Sequence, residues 1–325
     1  MKIAVLGAGA MGSVFGGRLS AAAGNEVWLI ARREAHVHAI NTGGLIIERP
    51  GAKPAVVHPR ATTDPGEVGP ADLVIVFVKA TDTATAAAGA RPLIGNDTVV
   101  LTLQNGLGNL EVLQAAFGPE HVIAGITYAG ARVAGPGHVV HTFAHRTVIG
   151  SSEPRLAARA REIAALFNRA GLPTEVDDDV LRLVWSKAAL NISINAVTAL
   201  TGLRFSELAD SPEALSVVDR ALDECLEVAK ALGIEIDYAA DDPHRFVREH
   251  LRRIGPNKSS MLQDFEQGRK TEIEALNGAL MERAWELDID VPFNEMLTCL
   301  VQGIERQRGL RDAADGDDDP MERDA

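Results

Sequence analysis

The chain has 325 residues, 46% of them hydrophobic, two cysteines and a formal charge of −13. That length allows two domains with a sizeable core, and the acidic balance argues against nucleic acid or an anionic membrane surface as the main partner. The N-terminus runs into a strand-like segment without signal-peptide flanks, and the apolar stretches are broken by charge or glycine well short of about 18 residues, so a cytoplasmic protein with no membrane span is expected.

Residues 1 to 176 alternate short β-rich runs with helical ones. KIAVLG, EVWLIA, DLVIVFV, TVVLTLQ and HVIAGITYAG read as strands. Their alternation with helices calls for a mostly parallel, helix-covered sheet, an α/β domain of Rossmann type. GLIIERPGAKPAVVHP and GARVAGPGHVVHTFAHRTVIG carry turn signals between paired β runs, so antiparallel additions are expected there. After a last short strand near 174 to 176 the composition shifts to long helical periods. The clearest, SPEALSVVDRALDECLEVAKALG, opens on Ser211 and Pro212 and closes at Gly233. Residues 177 to 308 are expected to form an all-α domain, followed at 309 to 325 by an acidic, disordered tail. Cys225 and Cys299, each within an apparent helix, are expected to be buried free thiols. No metal site is expected. His36 and His38 cannot share a helix face, and His138, His141 and His145 lie in a strand-rich stretch without ligand spacing.

VLGAGAMGS sets Gly7, Gly9 and Gly12 in G-x-G-x-x-G spacing, directly after a strand and at the start of a helix. Gly7 permits the tight turn, Gly9 lets a pyrophosphate approach the backbone, and Gly12 allows close helix packing. The helix N-terminus adds free N–H groups and partial positive charge, so Gly7, Ala8, Gly9, Ala10, Met11 and Gly12 are read as a dinucleotide cradle. NAD enzymes usually end the second strand with an acid that accepts from the ribose 2′-hydroxyl, but here Ala31, Arg32 and Arg33 occupy that region. A guanidinium suits a 2′-phosphate, so NADP(H) is expected over NAD(H), with Glu34 the residue that argues the other way. Lys79 in FVKAT and Asn105 in LQNGLGN follow two further strands, where ligands of doubly wound sheets bind; each could instead be turn chemistry, QNG after a buried strand especially.

In the second half, WSKAALNISINAVTAL places Lys187, Asn191 and Asn195 at four-residue intervals in an otherwise mostly apolar run. On a helix these stack on one face. Burying an ammonium and two amides unpartnered costs on the order of several kcal/mol, so the stripe must meet water, protein acceptors or a polar ligand. It is either one wall of a substrate site or a polar seam between helices. In PNKSSMLQDFEQGRKTEIEALNGALMERA, Ser259 or Ser260 can cap a short helix. Thr271 begins a longer one, with Ile273, Leu276 and Leu280 on its apolar face and Asn277 off that face. Glu272 and Glu274 fall in its first turn, where the helix dipole favours a carboxylate whatever else they do.

These segments together resemble the ketopantoate reductase (2-dehydropantoate 2-reductase) family over roughly residues 1 to 305. The likeness rests on VLGAGAMG, Lys79, QNG and WSKAALNISIN, and above all on SSMLQD followed by TEIEALNG. The resemblance implies a Rossmann domain joined to a helical domain, with NADPH and a 2-oxo acid held in the cleft between them. It further implies that Lys187 is the proton donor, that Asn191, Asn195 and Ser260 bind substrate, and that Glu272 lies near the substrate hydroxyl or the cofactor. Lys79, Asn105 and Ala131 would contact the cofactor, Asn105 facing the substrate as well, and Arg32 would hold the 2′-phosphate. The chemistry agrees: hydride addition to a ketone builds negative charge on oxygen, which a cation with a transferable proton stabilises and then quenches. One segment departs from the family. Where many members have an Asn-Gly turn helping to close the pocket, this chain reads TGLRFSEL, with Phe205 and Ser206 in its place. The expected activity is NADPH-dependent reduction of 2-dehydropantoate to (R)-pantoate in pantothenate and coenzyme A biosynthesis, with room for a homodimer. The alternatives are a dehydrogenase of another short branched 2-oxo or 2-hydroxy acid, and a non-catalytic NADP(H) sensor.

Overall fold

The computed structural model describes residues 1–143, 146–151 and 153–310. His145 and the expected disordered tail from 311 onward lie outside the described residues. The chain divides into two compact units, Met1–Val184 and a second beginning at Trp185. The division falls past the expected join at 176, within a helix. Leu183, on the first turns of that helix, packs with Ile126 and Val148 of the sheet and so belongs with the first unit.

The first unit holds twelve strands among its described residues: β1 (Lys2–Leu6), β2 (Glu26–Ile30), β3 (Leu45–Glu48), β4 (Ala55–Val57), β5 (Arg60–Thr62), β6 (Leu73–Val76), β7 (Val99–Thr102), β8 (Val122–Thr127), β9 (Gly130–Gly135), β10 (His138–Phe143), β11 (Thr147–Gly150) and β12 (Thr174–Val176). Eight form one sheet in the order β12-β11-β8-β7-β6-β1-β2-β5, parallel except for the β11–β8 pair. From β5 to β8 this is the Rossmann order, and its direction of growth reverses between β1 and β6, the edge where such sheets bind ligands. The continuous apolar runs of β6 and β7 are buried throughout, as strands covered on both faces must be. Successive β1 residues serve opposite cores. Ile3 and Val5 face the side covered by α1 (Ala10–Ala21) and α5 (Ala157–Arg169), while Ala4 and Leu6 face the side covered by α3 (Thr83–Gly89) and α4 (Asn109–Phe117).

The expected antiparallel additions form a separate sheet, β4-β3-β10-β9, in which β3 pairs with β4 and β9 with β10 antiparallel while β3 and β10 run parallel. This sheet covers the face of α1 turned away from the main one, and glycines allow both approaches. A Cβ on Gly16 would lie 2.3 Å from Leu29 Cδ2, and one on Gly17 2.6 Å from Ile47 Cδ1.

The second unit is helical among its described residues. It continues α6 (Val180–Thr201) and adds α7 (Phe205–Ala209), α8 (Pro212–Ala231), α9 (Pro243–Ile254), α10 (Ser260–Glu266), α11 (Ala279–Glu286) and α12 (Pro292–Arg308). Ser211 caps α8 by accepting from Ala214 N, and Ser259, not Ser260, caps α10 by accepting from Leu262 N. Among the described residues α6 is the one helix long and apolar enough to cross a bilayer, but 72% of its most apolar window is buried within the protein. Three expectations are corrected. Cys225 is buried, its thiol pushed up to about 12 by burial and by Glu224, but Cys299 is exposed; α12 turns Leu297 and Val301 inward and leaves Cys299 outside. Nor does an α-helix start at Thr271. Residues Glu274–Gly278 make a π turn leading into α11, and Asn277, expected off the apolar face, is fully buried.

Candidate active site

The glycine loop is fixed from several directions. Gly7 N and Ala8 N both donate to Ile30 O at the end of β2. Gly7 takes φ +96°, and any Cβ there would come within 2.5 Å of Val78 N; one on Gly12 would meet Gly7 O at 2.2 Å. Gly9 is different: it is exposed, and a Cβ there would touch nothing within 4 Å. The protein itself leaves Gly9 free to be any residue, so the open space over it is what a dinucleotide cradle requires. The first-turn N–H groups of Ala10, Met11 and Gly12 have no carbonyl within α1 to bond, which makes this helix start suited to an anion.

A buried relay fixes the loop's carbonyl side. Gly137 N donates to His36 Nδ1 at 3.0 Å, so His36 carries its proton on Nε2 and donates to Ser13 Oγ at 3.1 Å; Ser13 Oγ in turn donates to Ala8 O. Burial and the nearby Arg33 guanidinium hold the His36 pKa below its ordinary value, consistent with this neutral tautomer.

The loops after β6 and β7 stand beside the glycine loop at the same sheet edge. Lys79 precedes a 3-10 turn, Ala80–Asp82, and Asn105 lies in a loop whose Gly106 and Gly108 both take φ +87°. Gln104 locks the two loops together, its Nε2 donating to Val78 O and to Thr83 Oγ1, while Thr83 donates to Asn109 Oδ1. Arg32 is exposed just past β2 and pairs with Asp82 at 2.9 Å. Ala131 lies on β9, half-buried against the core around α1.

In the second unit α6 is an unbroken helix, so Lys187, Asn191 and Asn195 do share one face. Lys187 and Asn191 are partly exposed, whereas Asn195 is 5% exposed. Ser186, beside the lysine, is clamped by Asp237 N donating to its Oγ and Tyr238 Oη donating to its carbonyl. Lower on the helix, Thr198 hydrogen-bonds Ser259 at 2.6 Å, tying the stripe to the start of α10, where Ser260 is exposed. Burial pushes the Lys187 amine down from 10.5 to about 8, and the Glu272 carboxylate opposes that shift. The amine is thus poised to be protonated near neutrality and to release its proton there, which suits a general acid.

A polar network that sequence patterns did not disclose sets the spacing of these helices. Asn277 Nδ2 donates to Ile192 O on the stripe helix and to Asn294 Oδ1. Asn294 Nδ2 donates to Ala221 O and to Glu224 Oε2, and Glu224 also accepts from Phe293 N and Asn294 N at the start of α12. The π turn, in which Gly278 N donates to Ile273 O, carries Asn277 inward while Glu272 stays partly exposed.

At the family level, residues 3–154 match ketopantoate reductase PanE/ApbA and residues 179–305 match ketopantoate reductase PanE/ApbA C terminal. The chain belongs to the ketopantoate reductase family. Among relatives, the 2-dehydropantoate 2-reductase of Halobacterium salinarum is 38% identical, covering 94% of this chain and 99% of its own; that of Pyrococcus horikoshii is 36% identical, covering 95% and 99%. The PanE/ApbA family ketopantoate reductase structure from Ralstonia eutropha superposes with a TM-score of 0.86 at 36% identity, covering 95% of this chain and 100% of that one. A ternary structure of D-mandelate dehydrogenase with NADH and anilino(oxo)acetate reaches a TM-score of 0.87 at 29% identity, with the same coverages.

Proposed function

We propose that the protein is a cytoplasmic, NADPH-dependent reductase that converts 2-dehydropantoate to (R)-pantoate, a step toward pantothenate and coenzyme A. The observation that carries this reading is the Lys187 amine, lowered to about 8 by burial and opposed by Glu272, on the helix face it shares with Asn191 and Asn195. NADPH, when bound, supplies the hydride. The first unit would hold that cofactor, with Gly7 to Gly12 at the pyrophosphate, Arg32 at the 2′-phosphate, and Lys79 and Asn105 contributing from the neighbouring loops. The second unit supplies the substrate wall.

During reduction of the ketone the Lys187 ammonium would stabilise the charge growing on the carbonyl oxygen and give its Nζ proton to it. An arginine there would keep its charge and give no proton. Asn191, Asn195 and Ser260 are neutral donors suited to fixing the carboxylate and hydroxyl oxygens. Glu272 opposes the fall in the lysine pKa and would accept from a substrate hydroxyl. A panel of 2-oxo acids assayed with NADPH and NADH tests the reading. The expected result is fastest turnover with 2-dehydropantoate and NADPH; no 2-oxo-acid-dependent oxidation of either cofactor would refute it.

A second reading, a dehydrogenase of another 2-oxo acid, draws on the TGLRFSEL departure. Those residues form no Asn-Gly-type turn; Phe205 starts α7, with Phe205 N and Ser206 N donating to Asn257 O and Gly255 O. The likeness to D-mandelate dehydrogenase points the same way, and the same panel separates the two.

A further inference from the structure

We propose that Asp82 is a specificity-determining residue that competes with the cofactor's 2′-phosphate for Arg32 and so restrains the preference for NADPH over NADH. The inference rests on the reading of Arg32 as the 2′-phosphate ligand. It starts from sheet order. β1 lies between β2 and β6; Arg32 stands just past the end of β2, and Asp82 closes the turn after β6. With strands about 4.8 Å apart, the two loops leave the sheet roughly 10 Å from each other, on either side of the glycine loop. Their 2.9 Å ion pair therefore crosses the mouth of that loop, where the adenosine half of a dinucleotide must lie.

The pair is open to solvent, with side-chain exposures of 61% for Arg32 and 26% for Asp82, so it is easily exchanged. A phosphate dianion offers the guanidinium a bidentate partner and displaces a single carboxylate oxygen. The displaced carboxylate nonetheless remains beside the phosphate, and like charges repel. A 2′-hydroxyl meets the opposite situation, because it can donate to Asp82. NAD enzymes place an acid at the end of the second strand for that contact. This chain has arginines there, and the loop after β6 brings a carboxylate to within 2.9 Å of one of them. Asp82 should accordingly oppose NADPH and assist NADH, a divergence that a merely structural residue would not produce.

The test is cofactor binding followed by nicotinamide fluorescence for the parent, Asp82→Asn, Asp82→Ala, Arg32→Ala and the Arg32→Ala/Asp82→Asn double variant. Both Asp82 variants should tighten NADPH about three- to tenfold, the scale of a solvent-screened charge beside a phosphate, and leave NADH unchanged or weaker. With Arg32 already removed, the competition for its guanidinium is gone and only like-charge repulsion is left, so Asp82→Asn should tighten NADPH by less than it does in the parent. An unchanged NADPH-to-NADH ratio in both Asp82 variants, while Arg32→Ala selectively weakens NADPH, overturns this proposal alone. If Arg32→Ala weakens both cofactors equally, the 2′-phosphate assignment falls and the proposal with it.

Discussion

Glu272→Gln removes a carboxylate that holds the Lys187 amine up against burial. The net displacement, from 10.5 to about 8, means that burial lowers the amine by more than Glu272 restores. A nearby opposite charge moves a titrating group by roughly 1–3 pH units. Lys187 and Glu272 are both partly exposed, so solvent screening favours the low end, and the variant's amine should titrate near pH ~7. The proton donor works only when protonated, so the rate falls as pH rises through this pKa. At pH ~8 about half of the parent amines carry the proton against about one in eleven in the variant, a roughly fivefold loss from titration alone; at pH ~6 the loss almost vanishes. The assay is kcat/KM for 2-oxo acid reduction across pH, which reports groups of the free enzyme. An alkaline limb that stays in place, or moves upward, would refute the coupling. A uniform loss at every pH would place Glu272 on substrate or cofactor instead.

Lys187→Ala should lower kcat by roughly 100- to 10,000-fold with NADPH binding nearly intact, and Lys187→Arg should recover little; near-normal kcat at saturating substrate would make the stripe structural. Asn277→Ala leaves Asn294 Oδ1 without its donor in the core and removes a second donor from Ile192 O, which keeps its bond within α6, so denaturant unfolding should show a loss of about 1–3 kcal/mol. A neutral loss would show that the network does not hold the helices. His36 has a folded-state pKa below its unfolded value, so the unfolded chain binds the proton more tightly. Stability is complete above pH ~6.5 and declines as pH falls toward the depressed pKa. Urea unfolding at pH ~7 and ~5 should therefore show a smaller acid loss in His36→Gln than in the parent, and equal losses would exclude His36 as a source.

Features written in short-range spacing are legible in the sequence. The glycine loop shows in its G-x-G-x-x-G spacing between a strand and a helix, and the Lys187–Asn191–Asn195 stripe follows from helix periodicity alone. What escaped depends on partners far along the chain. Asn277 is drawn inward by Ile192, 85 residues away, so an assumed α-helical period sets it on the wrong side of a π turn. Arg32 and Asp82 are 50 residues apart and meet only because β1 inserts between their strands. Cys299 has the composition of a core position, but the face α12 buries is chosen by its neighbours.

The Ala8 carbonyl is held through Ser13 and His36 by the Gly137 amide, 101 residues beyond His36, at a turn of the smaller sheet. That turn belongs to no part of the cofactor cradle, yet it decides which way a peptide unit in the cradle faces. The loop's shape is consequently settled when the chain folds rather than when the dinucleotide arrives. Capture then requires little further ordering of backbone, and the entropy that a floppy phosphate loop would surrender on each binding event has already been surrendered once, during folding.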